Sequence, residues 1–275
     1  MTKISGTAFL VNYLRSKNKE LSGDLYSDLW IEETTAKLSE EFQREINPLE
    51  SYQLSLRHRF FLEWVKKAIS QGIERVINVG AGFSTYTHLV EPPIPTCDID
   101  YQHIVDYKAQ KLKEFEGKSL IPHREVTFLP TDLNNPKSLD SMKEQLKKWV
   151  MAEKSLAILE GITYYLDKHQ LNGVFNVLSE IQPKGSLIAA LYWKPDAIDN
   201  SVFKGWIPFA KKNYSYDAAN YTYLTKSYFE GLDGYRVVDF ANYFNLEKRF
   251  TKNNCIRKDN DNVLPEDFVA LEKVR

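Results

Sequence analysis

The chain has 275 residues, 43% hydrophobic and 27% charged, the balance of a soluble globular protein with one large α/β domain or two small ones. Its 36 basic and 37 acidic side chains leave a net charge of −1, which gives no electrostatic reason to expect nucleic acid or an anionic membrane as partner. No apolar run approaches the ~20 residues of a membrane span. Two distant cysteines, Cys97 and Cys255, and five scattered histidines make neither a disulfide framework nor a metal site.

The N-terminus has one short apolar stretch, Ala8 to Leu14, and no small-residue cleavage pattern, so a cytoplasmic location is expected. Residues 1–55 read as helices and turns and are expected to form a helical cap. Residues 57–71 place Phe60, Phe61, Trp64, Val65 and Ile69 at helical spacing, and Gly72 stops that helix. Strand and helix signals then alternate. Strands are predicted at 75–80, 96–100, 126–132, 155–161 and 185–193. Helices are predicted at 101–115, at 136–150 behind Pro136, and at 167–181 with Asp167 as N-cap. A further helix is expected directly after the glycine turn at 80–82. Such alternation implies βαβ units and a parallel sheet. Residues 194–230, rich in aromatics (Trp206, Phe209, Tyr214, Tyr216, Tyr221, Tyr223), break it and are expected to be an inserted lid. Segments 235–244 and 267–274 read as two closing strands, an antiparallel edge pair with no long helix between them. Residues 56–275 thus form one expected domain.

The chemistry concentrates at the strand ends. The run Asn78-Val79-Gly80-Ala81-Gly82-Phe83-Ser84-Thr85 follows a strand, and its glycines allow a tight turn close to a ligand. Alone it also suits an ordinary βα turn. Asp100 ends the next strand, 20 residues after Gly80, where an acid can hydrogen-bond a ribose diol. Asp132 ends the third strand and Glu160 the fourth. Each acid alone also suits a helix N-cap or a solvated loop. Together they line one crevice of an open parallel sheet. A dinucleotide site wants a third glycine where this chain has Thr85. Three acids and no phosphate cradle instead favour S-adenosylmethionine (SAM), which offers a diol, an adenine amine and an ammonium.

At these residues the chain resembles the leucine carboxyl methyltransferase family, including its bacterial polyketide O-methyltransferase branch, across roughly residues 5–190. The matching features are Val79-Gly80-Ala81-Gly82-Phe83-Ser84-Thr85, Asp98-Ile99-Asp100 with Lys108 beyond it, Asp132-Leu133, and Glu160-Gly161-Ile162-Thr163-Tyr164-Tyr165-Leu166, with Arg57 upstream. The resemblance implies a Rossmann-like class I methyltransferase sheet, mostly parallel with an antiparallel strand near the C-terminus, and a SAM cofactor. It implies that Gly80, with Ala81 and Gly82, approaches the cofactor, that Asp100 holds the ribose and that Asp132 and Leu133 contact the adenine. Glu160 would face the methionine ammonium and Arg57 its carboxylate. Arg15 matches a basic N-terminal residue of the family and is expected to orient the acceptor. The chain departs from the pattern at Ser84, where the family has Asp, and at Tyr86-Thr87-His88, where an arginine is common.

The expected activity is SAM-dependent O-methylation of a small-molecule acceptor, a carboxylate first. A carboxylate is ionised at pH 7 and needs no general base, whereas a phenol usually does. No His or Lys is fixed by these motifs at a reaction centre; His88 and His103 are weak base candidates, and Tyr164 and Tyr165 are candidate orienters of the acceptor. The alternatives are a phenol or hydroxyl acceptor, a protein C-terminal carboxylate, a non-catalytic SAM-binding module, and a nicotinamide-dependent oxidoreductase. Thr85 and the lack of a Y-x-x-x-K motif weigh against the last.

Overall fold

The computed structural model describes residues 6–214 and 221–275. Four helices come first: α1 (Gly6–Ser16), the single turn α2 (Lys19–Ser22), α3 (Glu33–Glu45) and α4 (Glu50–Ser70). Helix α4 crosses residue 55, where the cap was expected to end, and buries Leu56, Phe60, Phe61, Trp64 and Val65 on the sheet. Gly72, at φ +76°, turns the chain out of it.

The alternation then follows as β1 (Arg75–Val79), β2 (Thr96–Asp100), α5 (Gln102–Gly117), β3 (Val126–Pro130), α6 (Pro136–Val150), β4 (Ser155–Leu159), α7 (Lys168–Ile181) and β5 (Leu187–Trp193). Asn135 caps α6 through Lys137 N–H, and Asp167 caps α7 in a capping box with Gln170, as the residue types require. The expected helix after the glycine turn is absent: a single 3-10 turn, Tyr86–Leu89, stands there. Pro92, Pro93 and Pro95 follow within ten residues of Thr85 and leave no room for a longer helix. Thr87 Oγ1 donates to Ile94 O at 2.7 Å and closes the loop.

Residues 194–230 hold α8 (Ser201–Tyr214) and α9 (Lys226–Glu230); Tyr216 lies outside the described residues. The chain ends with β6 (Tyr235–Asn242), the short helix α10 (Tyr243–Phe250) and β7 (Glu266–Lys273). The sheet order is β3-β2-β1-β4-β5-β7-β6. The first five strands are mutually parallel, and β7 runs antiparallel between β5 and β6. The mostly parallel α/β sheet with an antiparallel strand near the C-terminus is therefore borne out. The closing strands do pair with each other, but β7 is internal and only β6 is an edge.

Alternation within the strands divides the core. Val76, Leu156, Ile158, Ala189, Leu191 and Phe268 pack against α4, α8 and α10. Ile77, Ala157, Leu159, Ile188, Ala190 and Val269 pack against α6 and α7. Both faces of β4 and β5 are buried, which explains their uninterrupted apolar sequences. Among the described residues no helix is long and apolar enough to cross a membrane.

Candidate functional site

The C-terminal ends of β1, β2 and β4 and the loop after β3 open into one crevice of about 880 Å³, roofed by α1 and by Tyr214 and Tyr221. Strand order reverses between β1 and β4, the place where open parallel sheets bind ligands.

The turn after β1 is clipped onto β2, with Gly80 and Ala81 N–H both donating to Ile99 O, at 2.9 and 3.1 Å. Gly80 has φ +67°, and a Cβ there would lie 2.8 Å from the Ile162 side chain. Gly82 has φ +45°, with open space where its Cβ would be. The first glycine is demanded by packing and the second leaves room for a ligand. Asp100 sits against this turn, its Oδ2 accepting from Gly82 N–H at 2.9 Å and its Oδ1 from Tyr101 N–H at 2.8 Å. Burial pushes its carboxyl up, and the two N–H groups counter that. Asp98 instead faces Lys108, at 2.7 Å, and Asn78, so this acid and lysine form a buried structural pair.

At the third strand the lining is made by Thr131, Leu133 and Asn134. Asp132 is exposed and is not part of it. Its Oδ1 accepts from Asn134 N–H and Nδ2 at 3.0 and 3.1 Å, a local turn interaction that a side chain two residues past the strand adopts readily.

Past β4, Glu160 meets Arg57 from α4, with Nε donating to Oε1 at 3.0 Å. Arg15 Nη1 lies 3.6 Å from the same oxygen, and Tyr86 donates its hydroxyl to Oε2. Burial would raise this carboxyl, but Arg57 and Arg15 beside it win and hold it down at about 2. Burial likewise opposes the charge on Arg57; Glu266 and Glu160 overcome it and hold its proton well above the ordinary arginine range. Glu266, at the start of β7, accepts from Arg57 Nη1 at 3.2 Å and from the Tyr243 hydroxyl. Gly161, at φ +72°, lies so close to Arg57 Nη2 that a side chain would collide with it. Arg15, which also lines the crevice, is buried, 3.1 Å from Asp24 and donating to Asn12 Oδ1 at 2.7 Å. Glu50, buried near this cluster and bonded to Asn47, is pushed up to about 8 by burial and by the charge of Glu266.

Tyr164 and Tyr165, on a 3-10 turn after Glu160, reach the lining with Tyr214 and Tyr221. Tyr164 stacks on Trp193 with centroids 4.0 Å apart and planes at 4°. Burial raises its phenol strongly, so it stays protonated. His88 is buried outside the lining and pushed down to about 4 by burial and by Lys108. His103 does line the crevice and stacks on Tyr101. No group of three metal-ligating side chains occurs among the described residues.

The structure thus gathers Arg57, Gly80, Ala81, Gly82, Asp100, Leu133, Glu160, Tyr164, Tyr165 and Arg15 around one crevice and leaves Asp132 outside. Sequence reasoning missed Glu266, Asp24 and Asn12. Only Asn12 had a legible signal, its place one helical turn before Arg15.

This sheet order and crevice define a class I methyltransferase fold. The same fold is found, at a TM-score of 0.67, in a DUF574 family protein from Streptomyces avermitilis, 14% identical with 97% of each chain covered. A protein from Thermobifida fusca named as a "putative methyltransferase" has the same score at 12% identity, with 98% of this chain and 94% of that one covered. The leucine carboxyl methyltransferase family model matches residues 15–179, and the chain belongs to that family. Among curated relatives, a Mycobacteroides abscessus protein named "Putative S-adenosyl-L-methionine-dependent methyltransferase" is 27% identical over 165 residues, 58% of this chain and 49% of that protein. A Mycobacterium sp. protein of the same name is 24% identical over 162 residues, 54% of this chain and 48% of that protein. The chain spans about half the length of the curated relatives it matches. The cofactor of such enzymes is SAM, and the crevice fits it: an open glycine turn, an acid bonded to that turn, and a buried guanidinium beside a carboxylate.

Proposed function

We propose that this protein binds SAM in the crevice and transfers its methyl group to an oxygen of a small-molecule carboxylate. The observation that carries the reading is the Arg57–Glu160 pair, buried side by side in the crevice wall. An amino-acid zwitterion presents the complementary pair, so its carboxylate can exchange onto Arg57 and its ammonium onto Glu160 without leaving either charge bare. Asp100 then holds the ribose diol, and Gly80, Ala81 and Gly82 let the ligand approach the backbone. Leu133 packs on the adenine; Asp132, exposed, is assigned no contact.

When bound, SAM supplies a methyl group already activated as a sulfonium. The residues of this chain therefore need only hold the acceptor in line and exclude water. Tyr164, Tyr165, Tyr214 and Tyr221 surround the acceptor space, with the apolar Ala8 and Val11 of α1 beside them. Phenol hydroxyls can donate to a carboxylate without quenching its charge as an arginine would, which leaves the oxygen nucleophilic. Both arginines of the described lining are already paired with acids, Arg15 with Asp24 and Arg57 with Glu160. A carboxylate, ionised at neutral pH, needs no general base. Arg15 is assigned to the methionine end with Arg57. The aromatic lining also suits a phenol, which is the second reading.

The test is transfer of labelled methyl from SAM to candidate acids, followed by mild alkali. A methyl ester releases volatile methanol. A base-stable product identifies an ether and overturns the carboxylate assignment while leaving methyl transfer intact. No transfer to any acid or phenol, together with no SAM binding, overturns the whole reading.

A further inference from the structure

Behind the methionine end of the crevice lies a connected set of charges. Arg15 pairs with Asp24 at 3.1 Å and stands 3.6 Å from Glu160, while Arg57 pairs with Glu160 at 3.0 Å and with Glu266 at 3.2 Å. None of these five side chains is more than 8% exposed. Two guanidiniums therefore face three carboxylates, and one negative charge is left over.

The remaining ionisable neighbours do not cancel it. His58, 3.6 Å from Asp24, is pushed down by burial and stays neutral at neutral pH. Glu50, pushed up to about 8 by burial and by Glu266, is a neutral acid at pH 7. The phenols of Tyr86, Tyr164 and Tyr243 are all raised, first by burial, and remain protonated. An uncompensated charge in a buried site is unfavourable until something of opposite sign arrives.

We propose that this surplus negative charge, carried by Glu266 and Asp24, makes the crevice prefer SAM to its demethylated product, S-adenosylhomocysteine. The inference rests on the reading of the crevice as a SAM site. SAM carries a carboxylate, an ammonium and a sulfonium, one positive charge in total. The product keeps the first two and is neutral. Adenine, ribose and the zwitterion are common to both ligands, so contacts to them cannot tell the two apart. A field acting on the sulfonium can. Glu266 and Asp24 do not line the crevice. They act through space and through the guanidiniums they hold, as specificity-determining residues rather than catalytic ones. Release of the product, rather than its retention, follows from the same imbalance.

The experiment is titration calorimetry of the whole chain with SAM and, separately, with S-adenosylhomocysteine, at pH 7 and one fixed low ionic strength. Glu266→Gln keeps the side-chain shape, and its amide oxygen can still accept from Arg57. Asp24→Asn removes a charge from the opposite end of the set and from a different segment. At an effective dielectric constant of about 20, one charge roughly 10 Å from another changes relative affinity by about tenfold. Each variant is expected to lower the preference for SAM over the product by about that factor. Equal weakening of both ligands in both variants makes the two acids merely structural and overturns the proposal. If one variant does not fold, the other carries the same comparison. Wild-type protein that binds neither ligand contradicts the reading of the crevice itself, a different result from an unchanged ratio.

Discussion

Replacing Glu160 by glutamine removes one charge from the centre of the buried cluster while keeping its volume. The carboxyl is held at about 2 against an ordinary 4.5, because Arg57 and Arg15 outweigh the cost of burying it. Each tenfold change in an acid constant corresponds to about 1.4 kcal/mol, so the ionised form contributes on the order of 3 kcal/mol to the folded state. The side chain is only 8% exposed, so solvent screening reduces this less than it would at the surface. The folded value lies below the unfolded one. The contribution is therefore complete above about pH 4.5 and is lost as pH falls towards 2. Urea denaturation of wild type and Glu160→Gln at pH 7, 5, 4 and 3 reads the difference directly. The gap is expected to be on the order of 3 kcal/mol at pH 7 and to narrow steadily below pH 4.5. A gap under about 0.5 kcal/mol at pH 7, or one that does not change with acidification, refutes the charge-pairing argument, because surface-like pairs behave that way.

Glu50 shows the opposite sign. Its folded value of about 8 lies above the unfolded one, so the neutral acid suits the fold and wild-type stability falls as pH rises from about 4.5 to about 8. Glu50→Gln is expected to flatten that fall in denaturation curves between pH 6 and 9; an unchanged slope contradicts it. Asp100→Ala is expected to weaken SAM binding by about 2 kcal/mol, the scale of charged hydrogen bonds lost, measured by calorimetry, and affinity within error of wild type removes the ribose assignment. Gly80→Ala meets both a positive φ and the Ile162 side chain 2.8 Å away. It is expected to cost about 1–3 kcal/mol of stability, and an unaltered thermal midpoint contradicts the packing argument.

Most of the sheet was legible because its strands carry local signals: apolar runs such as Leu187–Trp193, ended by turn residues, and caps such as Asp167 with Gln170. The helix expected after Thr85 failed because periodicity says nothing about space, whereas the prolines that follow do. The place of β7 between β5 and β6 was hidden because a segment's apolarity shows that it is buried without naming its neighbours. At the site, residues on the strand ends were readable from position along the chain. Asp132 fell outside the crevice because its spacing fixes where its backbone sits, while a local hydrogen bond to Asn134 decides where its carboxylate goes. Glu266 was invisible for a different reason. It reaches Arg57 across 209 positions, a contact that only the tertiary fold creates.

The most direct measurement is a crystal structure of the protein with S-adenosylhomocysteine. The account predicts the ligand in the crevice, its diol on Asp100, its carboxylate on Arg57 and its ammonium on Glu160, with the sulfur turned towards Tyr164 and Tyr165. A ligand bound elsewhere, or one whose amino-acid moiety lies away from both Arg57 and Glu160, contradicts it.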